Sequence, residues 1–129
     1  MDYFLKRTWA QIDLDEIKHN YLQIRNNISE KSMIMCVIKA DAYGHGAVAV
    51  AREYERLGAN WLAVSNLEEA FQLRHNGIKK PILILGYTPV NMAYELSLLN
   101  ISQAVFSEDY ARSLNEYAER SNVKVKVHL

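Results

Sequence analysis

From Met33 onward, short apolar runs alternate with stretches whose apolar residues recur at helical spacing, and that alternation leaves few folds open. Met33-Ile34-Met35-Cys36-Val37-Ile38 is the first run, and Ala47, Val50, Ala51, Tyr54 and Leu57 then mark a helix that Gly58 closes. Trp61-Leu62-Ala63-Val64 is the second run. Ser65 with Glu68, or Asn66 with Glu69, opens the next helix, and Gly77 ends it. Ile82-Leu83-Ile84-Leu85 is too uniformly apolar for a strand with a wet face. Thr88-Pro89 supplies an N-cap and a first-turn proline for a helix through Leu99. Ala104-Val105-Phe106 reads as a strand, and Ser107 caps a helix in which Tyr110, Leu114, Tyr117 and Ala118 share a face. Val123-Lys124-Val125-Lys126-Val127-His128-Leu129 begins a fifth strand. Regular alternation of this kind implies right-handed βαβ units and a parallel α/β sheet covered by helices. An open doubly wound sheet fits into 129 residues, whereas an eight-stranded barrel usually takes about 200 or more.

Ahead of this pattern, Trp9, Ile12 and Leu14 mix with polar residues in an extended segment, residues 1–14. Asp13, three residues before Glu16, is a capping-box candidate for a helix over about residues 15–28. Ile17, Tyr21, Ile24 and Ile28 give that helix one apolar stripe.

Composition excludes several classes of function. Half of the residues are hydrophobic, enough for a real core, and 15 basic side chains balance 15 acidic ones. There is no basic stripe for nucleic acid or an anionic membrane surface. No apolar run approaches the roughly 18 residues of a membrane helix. The start, Met1-Asp2-Tyr3-Phe4-Leu5-Lys6-Arg7, lacks the apolar core and cleavage site of a secretory signal. A single cysteine, Cys36, forms no internal disulfide, which fits a cytoplasmic location, and alternation within the strand assigns it to the core.

Chemistry concentrates at Lys39, delivered by a buried strand to its own C-terminal end. An ammonium at the rim of an apolar strand loses hydration, which favours the neutral, nucleophilic amine. Such an amine suits imine formation with an aldehyde, the bond that holds pyridoxal 5'-phosphate (PLP). The plainer alternative is a strand-end lysine with its charge in water. Tyr43 follows four residues on, and Gly44 and Gly46 allow a tight turn and close approach to a ligand. The amides that open the next helix then face an anion. The glycine pair matches neither a nucleotide P-loop nor a dinucleotide fingerprint. His19, His45, His75 and His128 are scattered, without metal-site spacing, and His45 either lies near a ligand or hydrogen-bonds the turn. Glu68-Glu69 at a helix start reads as favouring the helix dipole rather than as a catalytic pair.

Val37-Ile38-Lys39-Ala40-Asp41-Ala42-Tyr43-Gly44-His45-Gly46 resembles the PLP-attachment motif of alanine racemases. Thr8-Trp9-Ala10-Gln11-Ile12-Asp13-Leu14, Asn66-Leu67-Glu68-Glu69-Ala70 with Leu73-Arg74, and Pro81-Ile82-Leu83-Ile84-Leu85-Gly86 are similar to that family, in its order and spacing. The resemblance implies a (β/α)8 TIM-type barrel of which residues 15–129 are roughly the N-terminal half, with the family's following β domain absent. It implies racemisation of L- and D-alanine by a full-length cytoplasmic homodimer, supplying D-alanine for peptidoglycan, with PLP as cofactor and no nucleic acid or membrane as partner. By the same resemblance Lys39 is the PLP-linked residue and one of two acid/base groups, Tyr43 contacts the cofactor phosphate, and Leu85 packs near the cofactor. The family's opposing base is a tyrosine of the partner subunit's second domain, and none of the eight tyrosines here sits in its motif. The chain alone is therefore expected to be inactive, its half-barrel edges prone to self-association. A serine racemase carries the same decapeptide, a non-catalytic PLP-binding protein needs only Lys39, and an interaction module would use Lys39 merely as a strand end.

Overall fold

The computed structural model describes residues 8–129 and shows five parallel strands with helices between them. The first seven residues of the expected N-terminal segment lie outside the described residues, and residues 8–13 form no helix or strand. Helix α1 spans Leu14–Asn26, with the Asp13 carboxylate accepting from the amides of Asp15 and Glu16. That is the cap its sequence promises. Its apolar stripe is only partly used. Tyr21 is buried and packs on Tyr54 with ring centroids 5.8 Å apart, whereas Ile24 is 57% exposed.

Strand β1 (Met35–Val37) leads to the Lys39 turn, and α2 (Ala47–Arg56) follows. Next come β2 (Trp61–Val64), α3 (Leu67–His75) and β3 (Ile82–Ile84). After a 3-10 turn over Val90–Met92 come α4 (Ala93–Leu98), β4 (Ile101–Ala104), α5 (Glu108–Arg120) and β5 (Lys126–His128). Asn66 and Ser107 cap α3 and α5 through their side-chain oxygens, to the amides of Glu69 and Tyr110.

Three expectations shift. The helix after Pro89 opens as a 3-10 turn, and Thr88 does not cap it: its hydroxyl is buried without a partner among the described residues while its carbonyl accepts from the Tyr110 hydroxyl at 2.8 Å. The fourth strand is Ile101–Ala104, earlier than Ala104-Val105-Phe106. The polar pair Ser102-Gln103 is buried inside it, and Gln103 Nε2 donates to the carbonyls of Gly86 and Ala104 at 2.7 and 2.8 Å. On α5, Tyr110, Leu114 and Ala118 are buried, but Tyr117 stays 37% exposed beneath Arg120.

Strand order decides between the two architectures. The sheet runs β1-β2-β3-β4-β5, each strand parallel to and paired with its sequence neighbour. A doubly wound sheet reverses direction at a switch point, and this one does not. Repeated right-handed crossovers in one direction put every helix on the same face, as in a barrel wall. The register agrees: Cys36, Leu62, Ile82 and Ile101 form one row and belong to the helix-packed core, as do Val64 and Ile84 in the row beyond. The intervening row, Val37, Ala63, Leu83, Ser102 and Lys126, lies on the opposite face, outside that core cluster. The sheet also curls. Trp61 on β2 and His128 on β5 meet edge to face at 4.8 Å, although β2 and β5 would stand about 14 Å apart in a flat sheet.

Burial of the helix-facing rows supplies the driving force. Leu62, Leu73, Ile82, Ile84 and Leu96 are fully buried, each worth about 1.5–3 kcal/mol relative to exposure. Cys36 belongs to this core, and burial pushes its thiol up to about 11.

Candidate active site

Parallel barrel strands present their working residues at C-terminal ends, where connecting loops are free to vary. Here those ends carry Lys39 after β1, Ser65 and Asn66 after β2, and Leu85, Gly86 and Tyr87 after β3. Pairing persists past the strands. Ile38 donates its amide to Ala63, Leu85 to Val64 and Gly86 to Ser65, at 2.9, 2.9 and 3.2 Å. The rim is therefore held as firmly as the strands.

Lys39 is half-buried and opens a turn, Lys39–Gly44, of unusual conformation. Ala40, Asp41, Ala42 and Tyr43 all have positive φ, between 50° and 56°, so four consecutive L-residues wind left-handed. At about 1–2 kcal/mol per residue, such a turn costs on the order of 4–8 kcal/mol if unsupported. Support comes from every side. The Ala40 amide donates to Glu69 Oε1 at 2.8 Å, and Ala42 donates to Ile38 at 3.0 Å. Gly46 donates to the Asp41 carbonyl at 2.9 Å, while Asp41 Oδ1 accepts from the Ala47 amide at 2.7 Å. His45 Nδ1 donates to the Ala42 carbonyl at 2.8 Å, so this histidine fastens the turn. Local backbone strain kept in place by many contacts is a feature of functional sites.

The expected site residues stand at the C-terminal ends of two strands, Lys39 and Tyr43 after β1 and Leu85 after β3. Tyr43, the last left-handed residue of the turn, is 60% exposed at the rim. Leu85 follows β3 directly, two residues beyond Leu83, and is 43% exposed. Met35 and Val37, on the β1 face opposite the helix-packed core, are 37% and 40% exposed. Lysine, phenol and aliphatic side chains thus share the C-terminal rim and the face below it. One expectation changes: the Ala47 amide that opens α2 is occupied by Asp41 and is not offered to an anion.

Two residues matter more than their sequence context indicated. Glu69, read as a helix-dipole residue, accepts from Ala40 with one oxygen and from the amide and hydroxyl of Ser65 with the other, at 2.8 and 3.1 Å. Arg74 donates to the carbonyls of Leu99, Ile78, Lys80 and Asn100 at 2.8–3.1 Å, joining α3 to the loops before β3 and β4. Burial of its guanidinium lowers its proton affinity. Both lie in a stretch that resembles the family, and Glu69 also stands three residues beyond the Asn66 cap, but no sequence pattern reveals the role of Arg74, since its partners are backbone carbonyls.

Among the described residues, no three His, Cys, Asp or Glu side chains gather as a metal site, and no helix is long and apolar enough to cross a membrane.

The family model for the alanine racemase N-terminal domain matches residues 12–129, nearly the whole chain. The chain belongs to the alanine racemase family. Alanine racemase 1 of Clostridium acetobutylicum is 47% identical over 125 residues, 97% of this chain and 32% of that protein. An alanine racemase of Clostridium perfringens is 46% identical over 129 residues, all of this chain and 33% of its own length. The chain thus spans about a third of the curated relatives it matches. Among solved structures, the alanine racemase of Clostridium difficile 630 superimposes with a TM-score of 0.90 at 42% identity, over 98% of this chain and 33% of its own. A histidine racemase of Leuconostoc mesenteroides superimposes with a TM-score of 0.83 at 27% identity, over 98% of this chain and 34% of its own. These alanine racemase neighbours agree with the parallel α/β architecture as one half of a TIM-type barrel.

Proposed function

We propose that residues 15–129 form the lysine-bearing half of a PLP-dependent amino-acid racemase and that alanine is the substrate. The observation that carries this reading is the placement of Lys39: just past the C-terminal end of the first strand, opening a left-handed turn that lies within the residues matched by the alanine racemase family model. The donor set fits the cofactor. A primary amine suits an aldehyde, a phenol at the rim suits a phosphate, and the exposed Val37 and Leu85 side chains suit the face of an aromatic ring.

PLP, when bound, supplies the electron sink that makes the α-proton of an amino acid removable. Lys39 Nζ would hold the cofactor and serve as the acid/base group on one face of the α-carbon. Tyr43 would donate its hydroxyl to the phosphate. Leu85 would pack beside the cofactor and keep water from it.

Racemisation needs a second acid/base group on the opposite face. The 129 residues offer no tyrosine in the matching motif, so by themselves they are not expected to racemise alanine. In the protein at its natural length, the proposal extends to a homodimer in the cytoplasm that makes D-alanine for peptidoglycan. A second reading concerns the substrate. The likeness to a histidine racemase, across nearly all of these residues, supports the view that this half positions the cofactor while side-chain preference is set elsewhere. Serine and histidine are then the competitors of alanine.

The test is racemisation of enantiopure L-alanine, L-serine and L-histidine by the protein at its natural length, followed by chiral chromatography. Alanine should turn over fastest, and Lys39→Ala should abolish turnover. Equal turnover by Lys39→Ala refutes the assignment, and faster turnover of serine or histidine replaces the substrate.

A further inference from the structure

We propose that Glu69 is the positioning residue for Lys39, acting through the peptide that joins Lys39 to Ala40; this rests on the reading of Lys39 as the cofactor-binding lysine. Ala40 is the first left-handed residue of the turn, with φ 50° and ψ 51°. Its amide N–H is part of the peptide leaving Lys39, so whatever fixes that N–H fixes the direction in which the turn departs from β1. Glu69 Oε1 accepts it at 2.8 Å across 29 residues of sequence.

The other oxygen is equally committed. Glu69 Oε2 accepts from the Ser65 amide at 2.8 Å and from Ser65 Oγ at 3.1 Å, at the end of β2. The Glu69 amide is in turn held by Asn66 Oδ1 at 2.9 Å. One half-buried carboxylate thus takes three donors and joins the ends of β1 and β2 to the first turn of α3. The tie continues along the rim. The Ser65 carbonyl accepts from Gly86 at 3.2 Å, and the Gly86 carbonyl accepts from Gln103 Nε2 at 2.7 Å. Four strand ends are linked in series, and Lys39 stands at the first.

A carboxylate is required by the geometry. All three partners are donors, on both sides of the group, and a carboxylate is the side chain that accepts on both sides. Glutamine has one acceptor oxygen, so one side would always present N–H to N–H. Bonds to an ionised acceptor are also about twice as strong as neutral ones. Helix-dipole stabilisation does not require Glu69 in particular. Glu68 occupies the same turn of α3, is exposed, and has no hydrogen bond among the described residues, so it supplies the charge without the tie.

Glu69→Gln and Glu68→Gln separate the two roles. Each variant, in the protein at its natural length, is titrated with PLP across a range of pH, reduced with borohydride, and mapped by peptide mass. The expected result is that Glu69→Gln keeps its circular dichroism spectrum but traps PLP at Lys39 with affinity weakened about tenfold or more, the effect of one lost charge-assisted hydrogen bond. Its pH profile of trapping should also move, while Glu68→Gln matches the wild type in both. Equal behaviour of the two variants, whether both are normal or both impaired, overturns the proposal. If the wild type takes no PLP at Lys39 while other lysines do, the cofactor reading fails and the positioning role falls with it. Should Glu69→Gln not fold, amide hydrogen exchange of the wild type decides: Ala40 is exposed, so protection of its amide supports the bond to Glu69 and rapid exchange overturns it.

Discussion

Gly86→Ala perturbs the rim at the point where two strand ends come closest. A Cβ built on Gly86 runs into the carbonyl oxygen of Ser65 at less than 3.0 Å, a separation real Cβ atoms essentially never show. The obstacle is backbone, so no side-chain rotation relieves it. The loop after β3 has to retreat from the loop after β2, at a cost of about 1–3 kcal/mol for overpacking. Retreat also stretches the Gly86 amide bond to Ser65, now 3.2 Å, and the Gln103 bond to the Gly86 carbonyl, now 2.7 Å. At about 0.5–1 kcal/mol each, their loss brings the total to roughly 2–5 kcal/mol. With a urea m-value of about 2 kcal/mol per molar, the unfolding midpoint should fall by about 1–2.5 M. Gly77→Asn is the control: Gly77 has φ 82° and open space where its Cβ would go, and asparagine tolerates the left-handed region, so its cost should stay within about 1 kcal/mol. A Gly86→Ala midpoint within experimental error of the wild type would refute the claim that the strand ends are locked together.

Arg74→Lys should destabilise the protein by about 2–3 kcal/mol in urea unfolding, because one ammonium cannot satisfy four carbonyls that a planar guanidinium serves. Asp41→Ala removes the acceptor for the Ala47 amide and should cost about 1 kcal/mol, with slower PLP trapping at Lys39 as the turn loosens. Cys36 confers a pH dependence. Its thiol is raised from 9.0 to about 11, so the unfolded chain loses this proton first as pH rises. Its stabilising contribution is complete below pH 9 and is lost between there and pH 11, a loss of about 2–3 kcal/mol. Urea midpoints across that range should decline less steeply in Cys36→Ala.

Local rules carried much of the fold. Asp13, Asn66 and Ser107 cap the helices their sequence assigns them, and Trp61-Leu62-Ala63-Val64 is strand β2 residue for residue. Lys39 was legible as a strand-end lysine because an apolar run and a glycine turn bracket it. The left-handed turn was not legible. Ala-Asp-Ala-Tyr has little intrinsic preference for positive φ, and the conformation is imposed partly by Glu69, 29 residues away. Tertiary contact also explains β4. Gln103 looks like a surface residue in sequence, yet its Nε2 donates to the carbonyls of Gly86 and Ala104, which ties it into the interior although its Oε1 is left without a partner among the described residues. The choice between a barrel wall and an open sheet depended on strand order, which no single segment encodes.

The most direct test of the central claim is borohydride reduction of the protein after incubation with PLP, followed by peptide mass mapping. The account predicts one modified residue, Lys39, with no comparable labelling elsewhere and none at that position in Lys39→Ala. Labelling spread over exposed lysines such as Lys31, Lys79 and Lys124, with Lys39 unmodified, would contradict it.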